Sequence, residues 1–110
     1  MDYKDLIMVL ADGINKKQIV MVKFKTKNGQ ILLRKCAPLD YGISKRAKPP
    51  RFKFHFWDFG SSGKNHILSL DVEQIIDLYF IKENFKPEEF IFWDTSTSPW
   101  LIVRDWGYYS

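Results

Sequence analysis

The apolar residues of this chain recur with one period up to about residue 15 and with another from residue 18 onward, and that single change decides the class of fold. Tyr3, Leu6, Ile7, Leu10 and Ile14 stand three and four residues apart, the stripe of an amphipathic helix, with Asp2 placed to cap its start and Gly13 near its end. No other stretch carries a convincing helical period of any length. From Gln18 the period is two: Val20, Val22 and Phe24 share one face while Lys23 and Lys25 take the other. Asn28-Gly29 is a strong hairpin signal. The return strand runs from Gln30 to Cys36, and Pro38, which has no N–H to donate, is expected to stop the ladder.

A loop from Asp40 to Pro50 follows, rich in small, basic and proline residues. The next strand, Arg51 to Phe59, alternates cleanly, with Phe52, Phe54 and Phe56 assigned to the core and Arg51, Lys53, His55 and Trp57 to the opposite face. Gly60-Ser61-Ser62-Gly63 reads as a turn, His66 to Leu70 as a fourth strand, Asp71 to Gln74 as a tight helical turn and Ile75 to Ile81 as a fifth strand. Lys86-Pro87-Glu88-Glu89-Phe90 fits a short helix with proline at its first position and acids in its first turn. The segment 95–99 then leads to a last expected strand, Trp100 to Arg104, and to Trp106, Tyr108 and Tyr109. One helix followed by five or six short strands predicts a mainly β fold closed into a small barrel. Residues 1–94 form the expected single domain, and 95–110 a C-terminal aromatic extension packing on it or extending it.

Composition narrows the class. A chain of 110 residues can bury one core of its own. No apolar run approaches the ~20 residues of a membrane helix, and acidic Asp2 and Asp5 do not make the basic flank of a signal peptide, so a cytoplasmic protein is expected with no membrane partner. A lone cysteine, Cys36, forms no internal disulfide or multi-thiolate metal site and is expected to be buried and structural. The net charge of +4 hides an asymmetry: residues 1–55 hold 13 Lys and Arg against 4 Asp and Glu, while residues 56–110 hold 4 against 9. Such a first half points to one basic face and an anionic partner.

The order of elements is similar to that of a WYL domain over residues of about 6–90. The matching positions are Leu10-Ala11-Asp12-Gly13-Ile14, Asn28-Gly29, Arg34 with Pro38-Leu39, Phe52-Lys53-Phe54 at the family's Trp-Tyr-Leu triplet, Leu68-Ser69-Leu70-Asp71 with Ile75, and Phe85-Lys86-Pro87-Glu88-Glu89-Phe90. The resemblance implies an SH3-like (Sm-like) barrel of the kind that senses ligands or nucleic acid in transcription regulation and phage defence. It implies Arg34 as a ligand-facing position and puts Lys53 in the place of the family's tyrosine.

The residues themselves direct the functional reading to one stretch. Lys45, Arg46, Lys48 and Arg51 surround Pro49-Pro50, and each phosphate they contacted would release a counterion, while the stiff prolines limit the cost of ordering the loop. On the adjoining strand Lys53, His55 and Trp57 supply a cation, an imidazole and an indole for phosphate contact and base stacking. The expected function is a non-catalytic module that binds nucleic acid, single-stranded in preference, or a nucleotide-like anion, through Arg34, Lys45, Arg46, Lys48, Arg51, Lys53, His55 and Trp57. Weak sequence preference is expected in the absence of a recognition helix. The competing expectation is a protein-interaction subunit using Trp93, Trp100, Trp106, Tyr108 and Tyr109 for homodimerisation or docking to a larger complex. Catalysis is not expected, since there is no Gly-rich phosphate loop, nucleophile elbow or His pair at metal-ligand spacing, and neither metal nor cofactor is expected. His55, His66 and Asp58 are the one grouping that could approach such a site.

Overall fold

A computed structural model of the chain describes residues 2–44, 47, 49–60, 66–93, 95 and 100–110. Helix α1 (Tyr3–Lys16) carries Leu6, Leu10 and Ile14 fully into the core, as its apolar stripe predicts. The Asp2 carboxylate accepts the Lys4 N–H at 3.3 Å, meeting one of the orphan donors of the first turn. The helix ends at Lys17, which turns into the left-handed region at φ 53°. Gly13 is therefore interior and serves another end: a β carbon there would stand 2.3 Å from the ring of Phe80, so glycine lets the sheet's aromatic side chain reach the helix backbone.

Five strands follow: β1 (Gln18–Lys25), β2 (Ile31–Ser44), β3 (Arg51–Asp58), β4 (Ile67–Leu70) and β5 (Ile75–Asn84). They form one antiparallel sheet in the order β4-β3-β2-β1-β5. Strands consecutive in the chain meet at the sheet edges, because β4 and β5 flank it and yet are joined by residues 71–74 alone. A flat sheet of this order would hold its edge strands about 19 Å apart. A connection this short, part of it a tight turn at Val72–Gln74, spans less than that even when fully drawn out, so the sheet curls.

Strand β2 differs from the expectation at Pro38. The strand does not stop there but runs to Ser44, through the first five residues of the expected loop. Its first half pairs with β1, from Ile31 opposite Lys25 to Cys36 opposite Val20, and its second half pairs with β3. Pro38 lies where β1 has ended its pairing, next to a bulge: Pro38 is opposite Phe56 and Asp40 opposite His55, which leaves Leu39 as the extra residue. The missing N–H is thus absorbed at an irregularity.

Asp40, just past the bulge, fastens the C-terminal segment. Its buried carboxylate accepts the backbone N–H groups of Leu101 (3.0 Å) and Ile102 (2.9 Å) and pairs with Arg104 at 3.3 Å. The Arg104 guanidinium carbon lies 4.0 Å from the Trp100 ring centre and 4.5 Å from that of Trp106, a sandwich in which the rings supply much of what water would have given. Burial lowers its pKa to about 10, against the opposing pull of Asp40. Trp106 is buried and donates its indole N–H to the Ile14 carbonyl at 2.9 Å, tying the chain end to the last turn of α1. The expected strand at Trp100 to Arg104 is absent; side-chain and backbone bonds to Asp40 replace a ladder.

Phe54, Phe56, Val20, Val22, Leu70 and Leu78 complete the core with the helix stripe. Cys36 is buried among them, and burial, helped by Asp58, pushes its thiol far above the usual range, which agrees with a structural cysteine. Among the described residues no helix is long and apolar enough to cross a membrane. Replacing Asp40→Ala strands a buried guanidinium and two backbone donors, and is expected to cost about 3–5 kcal/mol in urea unfolding. Asp40→Asn, which keeps one acceptor oxygen, is expected to cost less.

Candidate functional site

The face of β3 picked out by sequence does exist as a row, but its groups are committed within the molecule. Lys53 is only 7% exposed, its ammonium lying 4.0 Å from the Asp71 carboxylate. His55 uses both ring nitrogens, Nδ1 with the Ser69 hydroxyl at 2.7 Å and Nε2 with the Gly42 carbonyl at 2.9 Å. Trp57 is half-buried and stacked between His66 (4.9 Å) and Phe90 (5.2 Å), with Trp93 beside it at 6.3 Å. The expectation of an open cation, imidazole and indole along this row is therefore corrected: the later segments of the chain cover it. Arg34 is turned to the carboxylate of Asp58 at 3.7 Å and to the Gly60 carbonyl at 3.3 Å, away from the basic loop. Lys45, Arg46 and Lys48 lie outside the described residues.

The other side of the same strand corrects a second expectation. Phe54 and Phe56 are core, but Phe52 is 50% exposed, because it lies opposite Ile43 at the end of the β2–β3 ladder where no element covers it. Tyr41 packs between Phe52, 5.4 Å away, and Phe54, 4.7 Å away in an edge-on contact. These rings form one wall of a cavity of about 460 Å³, completed by Arg51, Asp71, Val72 and Glu73. A volume of that order is ordinary for a small-molecule site. Sequence reasoning missed Phe52 by treating every inward residue of an alternating strand as buried, and Tyr41 by assigning it to a loop. The usable signal was position: an aromatic residue at the first inward place after Pro50 stands at a sheet end.

The rim of this cavity carries one cation, Arg51, and two carboxylates, Asp71 and Glu73. Arg51 binds Asp71 with two bonds of 2.8 Å, one to each carboxylate oxygen. That hydrogen bonding is the main reason the Asp71 carboxyl titrates lower than usual, with Lys53 and Lys27 adding to it. Lys27, at the tip of the β1–β2 hairpin, is thus near enough to act on Asp71 and has no ion pair among the described residues. Gln74 locks the parts together, accepting from the Asp71 N–H at 3.0 Å and donating to the Lys25 carbonyl at 3.1 Å. The residues 45–50 that carry Lys45, Arg46 and Lys48 leave and rejoin the sheet at Ser44 and Arg51, a directly opposed pair at this same end.

The C-terminal rings divide unexpectedly. Of the predicted partner surface, Trp106 is core, Trp93 and Trp100 are half-buried in a chain of ring contacts that runs through Phe85 and Phe90, and Tyr109 is half-buried beside Tyr108. Only Tyr108, at 89%, is freely exposed, and Phe92 (81%), Val103 (86%) and Leu101 are exposed as well. His66 Nδ1 is 2.9 Å from the Asp58 carbonyl oxygen, while His55 has its own partners, so the two imidazoles are engaged separately. Among the described residues no three His, Cys, Asp or Glu side chains are grouped to hold a metal ion.

Compared with protein-family models, curated proteins and solved structures, the chain matches none.

The Arg51–Asp71 pair gives a signed pH prediction. A carboxyl whose pKa is depressed on folding stabilises the fold above its unfolded pKa, and that stabilisation is lost as pH falls through the folded value. In Arg51→Met the Asp71 resonance in an NMR titration is expected to move up toward the ordinary carboxylate range near about 3.9. The stability difference from the parent protein is expected to shrink as the solution is taken to acid.

Proposed function

We propose that the chain is a non-catalytic regulatory or sensor module that binds nucleic acid or a nucleotide-like anion at the uncovered end of its sheet. Tyr41 and Phe52 are the stacking surface; Lys27, Arg51 and the cations of residues 45–48 are the electrostatic one. The reading includes the finer architecture, in which the curled sheet is an SH3-like (Sm-like) barrel related to WYL domains. A four-residue crossing from β4 to β5 supports it, since a short tight link between edge strands is what a small barrel requires. The observation that carries the binding reading is the half-exposed Phe52 ring at the root of the basic connection, on the wall of a cavity. Flat rings beside cations hold bases by stacking and backbone by charge, two attractions that by themselves place little demand on sequence.

Single strands are favoured over duplexes because only unpaired bases present their faces to such rings. Fluorescence polarisation with labelled single-stranded oligonucleotides is expected to show binding that weakens as salt rises, with a slope of about 0.7 per phosphate neutralised. Phe52→Ala is expected to weaken binding by about 1–3 kcal/mol with the salt slope kept. Neutralising Lys45, Arg46 and Lys48 together is expected to flatten that slope. Absence of binding at low salt would remove the proposal.

A second reading is favoured by the exposed Phe92, Leu101, Val103 and Tyr108, an apolar set that a solitary small domain does not need on its surface. Here the C-terminal segment docks to a second copy or to a larger complex. Deleting residues 95–110 is a poor test, since it removes Arg104 and Trp106 from the interior. Changing Phe92, Leu101 and Val103 to Ser leaves those anchors in place, and light scattering is expected to show a smaller particle if this surface associates.

A further inference from the structure

We infer that Glu73 makes the aromatic cavity selective for guanine, whether carried in a strand or as a free nucleotide. The inference rests on the binding reading above and goes beyond it by naming the base.

The rim holds two carboxylates with different freedom. Both oxygens of Asp71 are engaged by the Arg51 fork. Glu73, two residues on, lines the same cavity, is exposed, and forms no ion pair among the described residues. An uncommitted carboxylate in an anion-binding rim works against affinity for phosphate, since like charges repel. It is useful there only to an occupant that presents donors to it, because an ionised carboxylate accepts hydrogen bonds and gives none.

Two kinds of occupant bring donors to a wall of rings. An alkylammonium ion would suit Tyr41, Phe52 and Phe54 by cation–π attraction. It would also have to enter beside Lys27 and Arg51, which oppose it. A nucleobase carries no charge, stacks on the same rings, and brings a phosphate that those cations favour. Among the bases, guanine sets N1–H and an exocyclic N2–H side by side on its pairing edge, so the two oxygens of one carboxylate can each accept a bond. Adenine and cytosine place a ring acceptor beside their amino group, and uracil flanks its single N–H with two carbonyls. Each of those acceptors would face a carboxylate oxygen and be repelled. The pairing edge is free only in an unpaired base, consistent with a single-stranded or mononucleotide ligand.

The test uses uridine octamers carrying one central G, inosine, A, C or U, measured by fluorescence polarisation on the full chain at low salt. The G-bearing strand is expected to bind at least about tenfold more tightly than the A, C or U strands. Inosine, which lacks the 2-amino group, is expected to fall between. In Glu73→Gln, an exposed change that presents one acceptor instead of two, the preference is expected to collapse to within about twofold while the all-uridine strand binds as well as before or better. Competition by GMP as effective as by the G-bearing strand assigns the site to a free nucleotide; competition by the strand alone assigns it to a polymer. Equal binding of all five strands by the parent protein, or a preference that survives Glu73→Gln, overturns this inference and leaves the binding reading standing. No binding of any strand or of GMP overturns both.

Discussion

Strand β2 has to serve two neighbours that pair with different stretches of it, and it carries a bulge at Leu39 soon after passing from one to the other. Its pairing with β1 ends at Cys36, where pairing with β3 begins, and the β3 ladder then runs across the bulge to Ser44. One extra residue adds twist and bend at that point, which is what a five-stranded sheet needs if its edges are to be joined by a link as short as residues 71–74. The bend also shifts the register of everything downstream. Asp40 is brought onto the side where the C-terminal segment lies, and Tyr41 onto the side of Phe52 and Phe54. A single inserted residue thereby sets both the anchor of the chain end and the wall of the cavity.

Aromatic surplus is resolved by the same geometry. The chain has nine Phe, five Tyr and four Trp, more than a sheet of this size can face inward. Part of the surplus forms a continuous series from Trp57 through Phe90, Phe85 and Trp106 to Trp100, covering the outer side of β3 and the end of α1. Edge-on and stacked contacts of this kind add stabilisation beyond area burial. Arg104 sits within the series rather than at the surface, with Asp40 as its counter-charge. The basic asymmetry of the sequence is smaller in space than in composition, since Arg34, Lys35, Arg51 and Lys53 all have carboxylate neighbours.

What the sequence conveyed and what it withheld follow from the range of the interactions involved. Helix α1, the Asn28-Gly29 hairpin, the alternation of β3 and the turn before β5 depend on neighbours in the chain, and all four were legible with ends off by a few residues. The passage of β2 through Pro38 was not, because it depends on where β1 ceases to pair, a fact of another segment. The covering of Lys53, His55 and Trp57 was hidden for the same reason: Asp71, Ser69 and Phe90 are remote in sequence and meet that row only through the sheet order. Exposure of Phe52 was hidden by the reverse error, since alternation tells which side a residue takes but not whether anything lies over it.

The candidate site is cross-linked by hydrogen bonds between its own segments. Gln74 ties the turn to the end of β1 and Arg51 ties β3 to the turn, so three separate segments are joined at this end. Rings mounted on such a frame lose little freedom when a ligand arrives, and less of the interaction energy is spent on ordering. The charge of Arg51 is partly offset by Asp71, but the pair joins the two segments from which the Phe52 ring and Glu73 project beside one opening. Selectivity of the kind proposed for Glu73 depends on that joining, because a carboxylate discriminates between donor and acceptor edges only if the base and the oxygens cannot both shift to avoid each other.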